Sequence, residues 1–218
     1  MRAFFAAEIA ERRKTPRHDL ISYLAEARID GQKLDDDHIT GTLRLLLIAG
    51  IDTTWSMIGS CLWHLANHSD DRKRLVAEPA LIPTAVEEFL RAYAPATLAR
   101  EIVKETEING CHFNEGEMVM LSFPAANRDP AMFPDAGRVV IDRSPNRHAA
   151  FGLGIRRCLG SHLARIEITA ALQEWLAKIP DFAVAPDAKV EWSAGPVRGP
   201  RTLPLVFGAD RSVLKSGC

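Results

Sequence analysis

The sequence predicts a mainly α fold with small antiparallel β-sheets, an α+β class. Three observations carry this. Apolar residues recur at helical spacing from Asp35 to about Asn67, a second such pattern runs from Ser161 to Ile179, and between them short stretches alternate apolar and polar residues around Asn109-Gly110 and Glu115-Gly116. Helices and strands do not alternate one by one, which excludes a doubly wound parallel sheet.

Taken in order, residues 2–12 read as a short helix with no cap ahead of it. A second helix follows with Leu20, Ile21 and Leu24 on one side, Asp19 as its cap and Asp30-Gly31 as its end. The pattern from Asp35 to Asn67 is the central helix, with apolar positions at Ile39, Leu43, Leu46, Leu47, Met57, Ile58, Leu62 and Leu65. At about 1.5 Å per residue it exceeds roughly 40 Å. Around Leu45 to Ile51 it is apolar on several sides, so it is expected to be enclosed by protein.

Residues 70–76 and 83–92 read as two further helices, the latter with Pro83 in its first turn. After Pro95 the period changes to that of strands. Residues 127–150 are rich in Pro, Asp, Arg and Asn, which predicts an extended, irregular region held by polar contacts. The helix of residues 161–179 follows, starting near Leu159. VEW (190–192) and TLPLVF (202–207) are the last strand candidates. No internal repeat is present.

The 218 residues suffice for one substantial core, and the chain is expected to form a single domain, 1–218. Hydrophobic residues at 47% and charged residues at 25% fit a folded soluble protein. Twenty-seven basic against 28 acidic side chains give a net charge of -1, which favours neither nucleic acid nor a membrane surface. The four cysteines, Cys61, Cys111, Cys158 and Cys218, form no C-x-x-C pair, so the expected setting is reducing and cytoplasmic. The apolar start is too short for a signal peptide, and the run Leu45 to Ile51 is too short to cross a bilayer.

The chemistry-bearing stretch is FGLGIRRCLG, residues 151–160, in which glycines and arginines surround one cysteine ahead of a helix. A zinc or iron–sulfur site needs more ligands than this loop supplies. A thiolate just before a helix is stabilised by unpaired backbone N–H groups. Gly152, Gly154 and Gly160 allow the backbone to approach a flat group or the sulfur itself. That suits Cys158 as the single protein ligand of an iron whose other ligands come from a porphyrin. The loop alone also admits a buried cysteine in a tight turn, or a redox cysteine.

Phe151, Gly154, Arg156, Cys158 and Gly160 fit F-x-x-G-x-R-x-C-x-G, and the loop resembles the cysteine-ligand signature of the cytochrome P450 family. Three more stretches occur in the family's order. AGIDTT (49–54) resembles the oxygen-binding motif, EFLR (88–91 begins with Glu88) the Glu-x-x-Arg pair, and AANRDP (125–130) the segment that locks against it. The resemblance runs from the first helix to TLPLVF but is expected to fit only the C-terminal half of the family, from the central helix on. The fold is accordingly expected to be the C-terminal half of the P450 fold, a partial haem domain lacking the N-terminal half.

This resemblance implies haem b, iron protoporphyrin IX, with Cys158 as thiolate ligand. It implies that Thr53 and Asp52 hold dioxygen and relay protons, with Ala49 and Gly50 leaving room beside the helix, although Thr53 can equally bond back to the Ala49 carbonyl. Arg100, His148 and Arg156 are implied as haem-propionate partners, and Phe151 as a shield for the sulfur. Glu88, Arg91 and Arg143 are implied as a buried structural network. Arg147, Arg157, Arg72, Lys73 and Arg74 are expected to gather as a positive patch for an acidic electron donor, or to be a solvated face. Ala96 to Ala99 and Gly195 to Gly199 are expected to wall a substrate site. The implied activity is insertion of one oxygen atom of dioxygen into a small apolar organic substrate, with electrons from a ferredoxin-type partner. The alternative is a truncated relative without catalysis, in a structural or interaction role, with another chain covering the exposed central helix.

Overall fold

The computed structural model describes residues 1–193 and 195–208. Cys218 lies outside the described residues. The chain divides into two compact units, Met1–Asp52 and Thr53–Cys218.

The first unit holds helices α1 (Arg2–Lys14) and α2 (Leu20–Glu26), the hairpin β1 (Arg28–Ile29) and β2 (Gln32–Lys33), and the first part of α3 (Asp36–Asn67). Its small core is Phe5, Ile9, Ala25, Ile39 and Leu43. Asp19 caps α2 by accepting from the Ser22 amide at 2.8 Å and also takes a bond from Arg12 Nε at 2.6 Å. The Arg12 bond, with the Ser22 amide adding to it, holds the Asp19 carboxyl down at about 2. Asp30 and Gly31 both have positive φ, 50° and 79°, and so turn a two-residue hairpin rather than merely ending α2. Asp35 accepts from the His38 amide at 2.6 Å and opens α3.

α3 runs as one continuous helix of 32 residues, roughly 48 Å at about 1.5 Å per residue. By length and composition it is long and apolar enough to cross a bilayer, which corrects the expectation drawn from the longest uninterrupted apolar run. It nonetheless carries Arg44 and Asp52, and buries Ile39, Leu43, Met57, Cys61 and Leu65 inside protein cores. Its expected enclosure is not met: Leu45, Ile48, Ile51 and Trp55 are exposed.

The second unit continues with α4 (Ser69–Ala77), a short 3-10 turn (Pro79–Leu81) and α5 (Ile82–Tyr93). Then come β3 (Thr97–Glu101), β4 (Thr106–Ile108), β5 (Cys111–Phe113), β6 (Met118–Ser122) and the short helix α6 (Phe123–Ala126). α7 (Ser161–Lys178), β7 (Phe182–Val184), β8 (Glu191–Trp192), β9 (Pro200–Thr202) and β10 (Leu205–Phe207) complete it. β3 pairs with β6, β4 with β5, β7 with β10 and β8 with β9, all antiparallel and each a separate two-stranded sheet.

The core of this unit joins Met57, Cys61 and Leu65 of α3 to Phe89 and Leu90 of α5 and to Ile168, Leu172 and Leu176 of α7, with Phe182 beneath them. α7 buries the i, i+4, i+8 stripe 168, 172, 176, as an amphipathic helix should. α5 is different, because it also buries Glu88 and Arg91. Residues 127–150 contain no helix or strand, as their composition predicts.

Candidate functional site

The Glu88–Arg91 pair explains how an irregular 24-residue stretch (127–150) is held. Both side chains are fully buried. Arg91 Nε donates to Glu88 Oε2 and Arg91 NH2 to Oε1, each at 2.8 Å, a bidentate pair across i, i+3. The remaining Arg91 protons go to the carbonyls of Asn127 (2.9 Å), Ala136 (2.9 Å) and Arg138 (2.7 Å). Glu88 accepts three more bonds, from the Val140 amide at 2.8 Å and from Arg143 Nε and Asn146 Nδ2 at 3.0 Å each. Burial pushes the Glu88 carboxyl up, but these bonds outweigh it and the net shift is downward. Asn127 Oδ1 accepts the Ala149 amide at 2.7 Å.

Glu87, the preceding residue, serves the cysteine loop. Its Oε1 accepts Arg165 Nε at 2.5 Å, and its Oε2 accepts Arg165 NH2 at 2.9 Å and His148 Nε2 at 3.0 Å. Burial raises its carboxyl, and the His148 and Arg165 bonds override that and hold it at about 2. The Arg165 guanidinium stacks over the Phe151 ring at 4.6 Å. The Phe151 carbonyl in turn accepts the Cys158 amide at 2.8 Å and closes the loop.

Within that loop Gly152 and Gly154 have φ of 70° and 66°, a region other residues adopt only with strain. Gly154 opens a 3-10 turn, Gly154–Arg156, and Gly160 precedes α7. Cys158 is a free, exposed cysteine three residues ahead of the helix. Leu153, Ile155 and Leu159 around it are also exposed, at 72%, 100% and 84%. No cluster of three or more His, Cys, Asp or Glu able to hold a metal exists among the described residues. One exposed thiol in a loop that also exposes aliphatic side chains fits an iron whose remaining ligands belong to a flat apolar macrocycle, and does not fit a bare ion.

The other predicted residues fall as follows. Arg156 is exposed on the 3-10 turn, and Arg100 is exposed on β3, its NH1 donating to the Ala99 carbonyl at 2.7 Å. His148 is buried, its side chain 3% exposed, with Nε2 meeting Glu87 at 3.0 Å and Nδ1 accepting the Ala150 amide at 3.2 Å. Asp52 and Thr53 are half-buried on α3, and Ala49 and Gly50 are exposed. A Cβ on Gly50 would meet nothing within 4 Å.

The expected basic patch is also corrected. Arg72 is buried, donates to the Leu65 carbonyl at 2.7 Å and to Asp181 at 2.9 Å, and lies over the Phe182 ring. Arg74 pairs with Asp142 at 2.7 Å. Lys73, Arg147 and Arg157 stay exposed. The two expected wall segments do meet: Ala96 bridges Val197, the Thr97 amide donates to Pro196 at 2.9 Å and the Arg198 amide to Pro95 at 2.7 Å. Glu87 escaped notice as a site residue, since nothing local marks it and its partners lie far along the chain, whereas Asn127 entered only as part of AANRDP.

The cytochrome P450 family model matches residues 2–190. The chain is 38% identical over 208 residues to a steroid C26-monooxygenase of Mycolicibacterium smegmatis, a match covering 94% of this chain and 52% of that protein. It is 38% identical over 207 residues to the polyketide biosynthesis cytochrome P450 PksS of Bacillus subtilis, covering 93% and 51%. Among solved structures, CYP109E1 of Bacillus megaterium with testosterone superposes with a TM-score of 0.89 at 35% identity, covering 94% of this chain and 57% of that one. The chain thus spans about half the length of the curated relatives it matches.

These matches correct the expected extent of both resemblance and fold. The family fold runs through nearly the whole chain, α1 and α2 included, and is not confined to a C-terminal portion that starts at the central helix.

Proposed function

Because the chain belongs to the cytochrome P450 family, we propose that it acts, as one haem-binding domain over residues 1–218, in a haem-thiolate monooxygenase of the cytoplasm. Family membership implies haem b with cysteine-thiolate ligation. The observation that carries the assignment to Cys158 is its exposure as a free cysteine on the glycine turn ahead of α7. When bound, haem supplies activation of dioxygen, one atom of which enters the substrate while the other leaves as water.

The chain's own residues do the rest. The turn at Gly152 and Gly154 presents the Cys158 sulfur, and the Phe151 carbonyl fixes its backbone. Arg156 and Arg100 are exposed guanidinium groups suited to clamp the two propionates. Asp52 takes protons from water and passes them to Thr53 Oγ1, from which they are donated inward. Leu98, Ala99 and residues 195–199, bridged to Ala96 through Val197, favour a small apolar organic substrate. The steroid and polyketide names of relatives agree with that class. Exposed Lys73, Arg147 and Arg157 suit an acidic ferredoxin-type electron donor.

Reconstituting the 218-residue chain with haemin and recording the carbon monoxide spectrum of the reduced form tests the reading. The red-shifted Soret band of a thiolate-ligated iron is expected for the parent and its loss for Cys158→Ser. Absence of that band in the parent would instead favour a non-catalytic protein whose exposed α3 side chains, Leu45, Ile48, Ile51 and Trp55, meet another chain.

A further inference from the structure

A second constellation lies at the C-terminal end of α3, outside everything described above. Tyr93, the last residue of α5, has its hydroxyl 2.7 Å from His64 Nδ1. The other ring nitrogen of His64, Nε2, is 2.8 Å from Asp71 Oδ2 of α4. An ionised carboxylate only accepts, so Nε2 carries the proton and Nδ1 accepts from the Tyr93 hydroxyl. His68 stacks on His64 at 4.0 Å and Phe89 closes another side at 5.1 Å.

Aromatic rings extend the line in the other direction. Trp63 meets Tyr93 edge-on at 5.9 Å between centroids, and Trp192 meets Trp63 edge-on at 5.2 Å. Trp192 lies shortly before Pro196 and Arg198, whose backbones are bonded to Thr97 and Pro95. A phenol held against a neutral imidazole that is itself backed by a carboxylate can lose an electron and a proton together. A structural tyrosine needs neither the carboxylate nor two tryptophans in line with it.

We infer that Trp192, Trp63 and Tyr93 form a one-electron relay in which His64 is the proton acceptor. The oxidant is a radical of the peroxide-derived class that takes an electron and a proton from Trp192; the Trp192 radical then takes one electron from Trp63 and one proton from water, while Trp63 releases its indole proton to water. The tryptophanyl radical on Trp63 then takes one electron from Tyr93 and one proton from water, restoring the indole. The Tyr93 O–H bond breaks, its proton goes to His64 Nδ1, and the Nε2 proton passes to Asp71 Oδ2. The product is a neutral tyrosyl radical, which a small thiol reduces. Burial raises the Tyr93 hydroxyl to about 12, so at neutral pH the phenol cannot be oxidised as its anion. Burial also holds His64 below the ordinary imidazole range, leaving Nδ1 free to accept.

Pulse radiolysis with azidyl radicals, which oxidise tryptophan, tests this on the chain without cofactor. The chain has two tyrosines, and Tyr23 is exposed, so a Tyr23→Phe background isolates Tyr93. Decay of the tryptophanyl signal is expected to match growth of the tyrosyl signal, first order and independent of protein concentration. Trp63→Phe should abolish the growth, whereas Trp55→Phe and Trp175→Phe should not. His64→Leu should slow it by about tenfold or more, a barrier increase of at least about 1.4 kcal/mol. Concentration-dependent growth, or an unchanged rate in His64→Leu, overturns the relay. If His64→Leu does not fold by circular dichroism, His64→Gln and a solvent deuterium isotope effect on the parent replace it, and an isotope effect of unity overturns the proton step.

Discussion

Glu87 and Glu88 are consecutive residues of α5, yet their carboxylates anchor different stretches. Glu88 receives Arg91, Val140, Arg143 and Asn146, and so fixes the segment ahead of the cysteine loop. Glu87 receives His148 and Arg165, and so fixes the loop itself and the start of α7. One turn of helix thereby positions the backbone on both sides of Phe151.

Glu88→Gln should destabilise the chain by about 3–5 kcal/mol, since it leaves the buried Arg91 guanidinium without a counter-charge. Replacing an isolated buried pair by apolar residues is often neutral. Here Arg91 also serves the carbonyls of Asn127, Ala136 and Arg138, which would all lose their donor. The double variant Glu88→Leu, Arg91→Met is therefore expected to be no more stable than the single one. Urea unfolding midpoints of the three proteins check this.

Glu87 predicts an acid-dependent loss of stability. Its folded carboxyl is held at about 2, below an ordinary value of 4.5, so it contributes stability that is complete above 4.5 and lost as pH falls toward 2. Glu87→Gln should remove that part of the pH slope while other carboxylates keep theirs. The difference between parent and variant unfolding free energies, measured between those two pH values, should shrink as pH falls. A constant difference across the window would contradict the assignment.

Most helices were legible because their periods are long and their stops are explicit. The β1–β2 hairpin was not, since Asp30-Gly31 ends a helix as readily as it turns a strand. β7 was missed because three residues carry too little alternation and its partner β10 lies more than a dozen residues on. In the site, the spacing of Glu88 and Arg91 put them on one face, but burial and the identity of the carbonyls depend on a loop folded back from residues 127–150. Arg72 looked solvated within a charged run, although it shares its helix face with Leu75, three residues on, and both are buried.

Gly199→Ala should destabilise the second unit. A Cβ there would lie 2.4 Å from Ser56 Cβ and 2.7 Å from Ser56 Cα, and the latter is helix backbone that cannot turn aside. Overpacking of this kind costs roughly 1–3 kcal/mol, occasionally more. A fall of several degrees in the thermal midpoint is expected. Gly50→Ala, inside α3 where nothing lies within 4 Å of the added Cβ, should instead raise the midpoint, since Ala is favoured over Gly in a helix interior by roughly 0.5–1 kcal/mol.

Thiol labelling separates the cysteines by environment and reports on the ligand loop. Cys61 is fully buried, and burial pushes its thiol up, so both access and thiolate fraction are small. Cys158 and Cys111 are exposed. A chromogenic disulfide should therefore label Cys158 and Cys111 rapidly in the native chain and Cys61 only after denaturant is added. A Cys111→Ser, Cys218→Ser background leaves Cys158 as the one fast site. Incubation with haemin should then suppress that phase without touching the slow one, because an iron–sulfur bond removes the nucleophile while leaving the α3 core intact. Persistence of the fast phase in the haemin-treated protein would mean that the sulfur of residue 158 is not the one that binds iron.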